Sequence, residues 1–161
     1  MSPQPPPAAA LAPLRRLGPA DLDAVLALAA ACLPAGQLQP RRTWAGVLAG
    51  AGSQAWGLDD HGILRAAVLA RRHPRHRRVQ VCLLAVESGW RRRGLARHLL
   101  ARLDAPHGLR LEVAADNGAA RAAYLALGFA VAGTIPELYA DGTDGIRYVV
   151  GPLTVRADPT A

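Results

Sequence analysis

The chain has 161 residues, 51% of them apolar, and a formal charge of +7. That length suits one domain with a real core. The apolar residues never gather into an uncharged run able to span a membrane, and the N-terminus lacks the basic-then-apolar pattern of a secretory signal. All nineteen basic residues are arginine, and a surface of that sign favours phosphorylated ligands, acidic peptides or nucleic acid. Cys32 and Cys82 lie far apart in apolar contexts, so they read as small buried hydrophobes rather than a disulfide or a metal site. A cytoplasmic protein without a metal is expected.

In chain order, residues 1–12 are rich in proline and alanine and read as a flexible leader. A single domain is expected over 13–155, with a short tail over 156–161. Pro13 to Leu17 suits a first strand. Pro19 suits the first turn of a helix whose stripe is Leu22, Val25, Leu26, Ala29 and Cys32. Leu33 to Pro40 reads as a loop, and a short helix follows from about Arg42 to Ala49, with Trp44, Val47 and Leu48 inward. Gln54–Leu58 and Ile63–Ala70 look like two strands joined by a hairpin turn at Asp59-Asp60-His61-Gly62. Arg71 to Arg78 is a basic connector, expected as a solvated hairpin tip rather than an RNA contact. Its His73 and His76 have no neighbouring cysteine or carboxylate to complete a metal site.

Val81 to Val86 is a continuous apolar run of strand length, as for a strand covered on both faces. Arg91-Arg92-Arg93-Gly94-Leu95-Ala96 then turns into a helix carrying Leu95, Leu99, Leu100 and Leu103 at helical spacing. The free amides of a helix start, with arginines in the same turn, suit a phosphate-bearing ligand. After a turn at Pro106-His107-Gly108, Leu109–Ala114 reads as a strand. A helix over Ala119–Leu127 follows, with Asn117 as its N-cap and Gly128 as its stop. Phe129–Gly133 and Gly145–Val150 supply two last strands around the loop Ile135–Asp144. Two strand–helix units in succession imply a parallel strand pair.

Arg91-x-x-Gly94-x-Ala96 after an apolar strand resembles the cofactor signature of the GNAT superfamily of N-acetyltransferases. Leu111-Glu112-Val113-x-x-x-Asn117-x-x-Ala120-x-x-x-Tyr124-x-x-x-Gly128-Phe129 resembles that family's second motif, downstream at the family's separation. The resemblance implies an α/β domain over most of the chain, with a central, mostly antiparallel sheet, a splayed parallel strand pair and flanking helices. It implies acetyl-CoA as cosubstrate. Leu84, Ala85 and Val86 would pair with the pantetheine arm and stabilise the oxyanion. Arg91, Arg92, Arg93, Gly94, Leu95, Ala96 and Arg97 would grip the phosphates, and Asn117 would contact the arm. Tyr124 falls where the family has a general acid toward the thiolate. Glu112 is placed to take the amine proton through water, by direct attack with no covalent enzyme intermediate.

The Glu–Tyr spacing and the segment Ile135 to Val150 are similar to the branch that acetylates protein N-terminal α-amines, including ribosomal proteins. There Tyr139 would line the peptide pocket, and Glu87 is a further candidate for holding substrate. Leu138 stands where a second tyrosine is frequent in that branch, and the loop Leu33–Pro40 lacks its usual aromatic residue. Both positions bear on the acceptor. The expected acceptor is a peptide N-terminus, with a small-molecule or aminoglycoside-like amine as the alternative. An RNA- or ribosome-binding module on an inactive fold is the rival of another class. Nucleic acid and membrane are not expected partners, and the chain is expected as a monomer or homodimer.

Overall fold

A computed structural model describes residues 13–153. The expected leader and tail lie outside these residues. Eleven regular elements follow in order: β1 (Arg15–Arg16), α1 (Leu22–Cys32), α2 (Arg41–Ala49), β2 (Ser53–Asp60), β3 (Ile63–His73), β4 (His76–Val86), α3 (Leu95–Ala101), β5 (Leu109–Ala114), α4 (Gly118–Ala126), β6 (Ala130–Ile135) and β7 (Gly145–Val150). The seven strands form one sheet in the order β1-β2-β3-β4-β5-β7-β6. Only β4 and β5 run parallel; the other five pairings are antiparallel. The fold is the mixed α/β architecture expected. No helix among the described residues is long and apolar enough to cross a membrane.

Each face of the sheet is covered by its own apolar layer. On one side Val25, Leu28 and Ala29 of α1 and Trp44, Val47 and Leu48 of α2 pack on Ala67 and Leu69 of β3 and on Leu83 and Ala85 of β4. On the other, Leu95, Leu99 and Leu100 of α3 pack on Val68, Val79, Val81, Leu109, Leu111, Val113 and Tyr148, with Tyr124 and Leu127 of α4 partly buried beside them. Burying a leucine-sized side chain contributes about 1.5–3 kcal/mol, so these two layers carry most of the fold's stability. Trp56 adds a cation–π clamp, with Arg16 at 5.2 Å and Arg102 at 5.1 Å from its ring.

The stretch Arg71–Arg78 is the exposed hairpin tip expected, but the strands run further into it than a connector would allow. β3 runs on to His73, β4 begins at His76, and the two histidines are paired across the turn. Strands at a hairpin tip are held by backbone pairing and need no apolar face, so polarity misplaced their ends. Cross-strand pairing also sets their rings 4.7 Å apart.

A β-bulge in β4 controls what happens next. Leu69 pairs with Leu83 and Ala70 with Val81, leaving Cys82 as the extra residue. The bulge reverses the parity of the strand. Val79 and Val81 face the α3 layer, whereas Leu83 and Ala85 face α1 and α2. A continuous apolar run is therefore required here, because both faces are buried and the alternation changes sides midway. Just before the bulge β4 also leaves its parallel neighbour. Pairing with β5 is confined to Val79↔Leu109 and Gln80↔Arg110, so a cleft opens between the two strands.

Gly108 closes the turn into β5 and has φ +91°; a Cβ there would stand 2.0 Å from the Val150 carbonyl oxygen. The glycine is needed twice, for its backbone angle and for that close approach. Gly108→Ala is expected to destabilise the fold by about 2–3 kcal/mol, seen as a lower denaturation midpoint at unchanged m. An unaltered midpoint would show that β7 yields freely at Val150.

Candidate active site

The sheet and helices bring the two candidate catalytic side chains to one place. β5 exposes alternate residues to opposite faces: Leu109, Leu111 and Val113 enter the α3 layer, so Arg110 and Glu112 point to the face covered elsewhere by α1 and α2. Those helices pack over β2 to β4, and the β5–β7 half of that face is left open beside the splay. Glu112, Tyr124, Asn117, Leu84 and Tyr139 all line the resulting cleft, whose volume is 580 Å³. The α1–α2 loop closes one side through Leu33, Gln37 and Gln39, and the β6–β7 loop another through Leu138 and Tyr139.

Glu112 is held firmly. Gln80 Nε2 donates to its Oε2 at 2.6 Å, while Arg110 NH2 at 3.4 Å and Arg147 Nε at 3.2 Å donate to its Oε1. Arg147 sits directly across from it on β7, and Gln80 lies across from Arg110 on β4. A carboxylate has about four lone-pair sites, so three bonds leave Oε2 able to accept one more donor from the cleft.

Tyr124 is placed by the way α4 ends. Phe129 N–H donates to the Tyr124 carbonyl at 3.0 Å and Gly128 takes φ +95°, the left-handed stop with a 6→1 bond. That stop also lays the Phe129 ring edge-on against Tyr124 at 5.5 Å, and the Tyr148 ring lies tilted 6.2 Å away. Burial, and then Tyr139, push the Tyr124 hydroxyl up to about 12. It is a neutral O–H at any physiological pH, with no hydrogen-bond partner among the described residues. Tyr139 is raised as well, by burial first and then by the charges of Glu112 and Asp116.

Asn117 caps α4, its side-chain oxygen accepting from Ala120 N–H at 3.1 Å. The cap uses the oxygen and leaves the amide NH₂ free to donate into the cleft. Cys82, at the bulge, also lines the cleft, and burial raises its thiol to about 11.

The turn Arg91 to Arg97 stands at the far end of β4, outside the cleft lining. Arg92 has φ +63° and Gly94 φ +75°, and the first helical amide bond of α3 is His98 N–H to Gly94 carbonyl. The amides of Leu95, Ala96 and Arg97 are thus the unpaired donors of a helix start. Arg91 Nε donates to the Val86 carbonyl at 3.0 Å, and Arg93 stacks over Trp90 at 4.6 Å. These two arginines shape the turn itself as well as charging it, a role their position in the motif does not reveal. Together, the unpaired edge of β4 past Gln80 and the unpaired amides of α3 fit an amide-bearing, phosphate-bearing cosubstrate.

Glu87 does not join the site. Both its oxygens accept from Arg65 NH1, at 3.0 and 2.8 Å, and it does not line the cleft. That ion pair ties the end of β4 to β3. Conversely, Gln80, Arg110 and Arg147 belong to the site though the sequence did not single them out. Arg110 was findable, two positions before Glu112 on one strand face. Arg147 depends on a cross-strand register that no local pattern encodes.

A family model described as an acetyltransferase (GNAT) domain matches residues 25–151. No curated protein matches the chain. Among solved structures, the ribosomal-protein-S18-alanine N-acetyltransferase from Escherichia coli is 23% identical with a TM-score of 0.70, over 91% of this chain and 98% of its own. Arabidopsis thaliana NAA60, solved with acetyl-CoA, is 18% identical with a TM-score of 0.69, over 86% and 97%. Ard1 from Thermoplasma volcanium is 20% identical with a TM-score of 0.70, over 88% and 98%. At such identities these likenesses speak for the fold, and the family match speaks for membership: the chain belongs to the GNAT acetyltransferases and is an acetyl-CoA-dependent N-acetyltransferase.

Proposed function

We propose that this enzyme acetylates the N-terminal α-amine of a protein or peptide in the cytoplasm, with Glu112 as general base and Tyr124 as general acid. The observation that carries the proposal is the meeting of Glu112 of β5 and Tyr124 of α4 in the cleft opened by the splay of β4 and β5. The name of the S18-alanine enzyme points to the same acceptor class, as does the Tyr139 segment that borders the cleft.

The edge of β4 at Leu84 to Val86, the α3 turn and Asn117 would hold acetyl-CoA, which brings an acetyl thioester and leaves as the free thiol. Glu112 accepts the proton that the amine must lose, through a water on its free Oε2 position. Unpaired β4 amides supply donors for charge developing on the carbonyl oxygen. Tyr124 holds at its hydroxyl the proton required by the departing sulfur. Cys82 takes no covalent part, because a thiol raised to about 11 is scarcely ionised at neutral pH.

Two peptides of one sequence test the acceptor, one with a free N-terminus and one with the N-terminus blocked but a lysine side chain free. Thiol release is expected with the first and not the second. Release with the blocked peptide, or only with small amines, would overturn the α-amine reading.

A further inference from the structure

The acceptor end of the cleft carries far more positive charge than the chemistry above requires. Arg71 of β3, Arg110 of β5 and Arg147 of β7 line it beside His73 and His76, and the acidic side chain among them is Glu112. These residues share one sheet face. Gln80 lies across from Arg110 and from Arg71, and Glu112 across from Arg147.

The bonds among these groups leave most of the donors unused. A guanidinium has five N–H donors, yet Arg110 and Arg147 each give one to the same oxygen of Glu112. The Nε of Arg110 is buried with no acceptor, and Arg71 makes no ion pair among the described residues. A buried donor without a partner is a cost that a complementary ligand removes. One carboxylate against three guanidiniums leaves a net charge of +2 in a partly enclosed groove, where field lines concentrate.

We infer that the preferred acceptor is a peptide with an acidic residue at its second or third position, whose carboxylate is received by Arg71, Arg110 and Arg147 while the α-amine reaches Glu112. This rests on the peptide reading above and names the substrate class of that same cleft. Arginine suits the task because its planar fork binds a carboxylate through two parallel bonds. A basic residue at the same positions would meet like charge and be excluded.

The test is kcat/KM for a series of free N-terminal peptides identical except at residues two and three, which are Asp-Glu, Ala-Ala or Arg-Arg. The acidic peptide is expected to exceed the neutral one about tenfold at low salt, with the gap narrowing as ionic strength rises. Arg71 is exposed and makes no hydrogen bond to Glu112, so it is the arginine to vary. Arg71→Glu should collapse the acidic-to-neutral ratio toward one and raise the basic peptide, while Arg71→Lys should keep most of the preference. Equal kcat/KM across the series would overturn this inference and leave the α-amine reading standing. Turnover of small amines with no peptide turned over would overturn both.

Discussion

Replacing Tyr124 by phenylalanine is expected to lower kcat at least a hundredfold, with KM for acetyl-CoA little changed. The substitution removes one oxygen and keeps the ring, so the contacts with Phe129 and Tyr148 survive. No internal bond is broken, because the hydroxyl is unpartnered among the described residues. A large fall in rate therefore reports lost proton donation and not a damaged helix end. The same hydroxyl affects stability at high pH. The folded chain holds its proton up to about 12 against an ordinary value near 10. Its contribution is fully present below pH 10 and is lost as pH climbs to 12, up to about 2–3 kcal/mol in all. Denaturation at pH 9 and pH 11.5 should show a smaller alkaline loss in Tyr124→Phe than in the parent, with Cys82 titrating in both. An unchanged turnover would remove Tyr124 as the acid, whatever the alkaline result.

Much of this site is legible in the amino-acid sequence itself, for a physical reason. The bounds expected for Leu109–Ala114 and Gly145–Val150 match β5 and β7, where apolar residues are punctuated by glycine at the ends. Asn117 and Gly128 are local signals too, a cap and a stop whose partners lie within a few residues. What is not legible depends on partners far along the chain. Glu87 looks available beside a basic turn, but Arg65, on the neighbouring strand, holds it. The bulge at Cys82 is invisible in a run where every residue is apolar, yet it turns the strand's two faces over just where the cleft opens. The environment of Glu112 likewise arises from strand register and not from spacing, with one donor each from β4, β5 and β7.

That environment decides how Glu112 must be tested. Glu112→Gln is expected to cost stability whichever role the residue plays, because it leaves the Arg110 and Arg147 guanidiniums without their carboxylate. Loss of activity at one pH is therefore ambiguous. The pH dependence is not. A free α-amine has an ordinary value near 7.7–8.0, so below it the amine arrives protonated and needs a base, while above it the amine arrives neutral. If Glu112 takes that proton, the parent-to-variant ratio of kcat/KM should be about a hundredfold near pH 6.5 and shrink steadily toward pH 9. A residue that only braced the cleft would give a ratio constant with pH, since a displaced strand is equally displaced at both ends of the range. Glu112→Asp provides the companion measurement. It restores the carboxylate and its charge on a shorter arm, so it should recover part of the low-pH rate if proton transfer through water is the role. A flat ratio for Gln would leave Glu112 as the brace that holds Gln80, Arg110 and Arg147 in register across three strands, and the amine would then lose its proton to solvent.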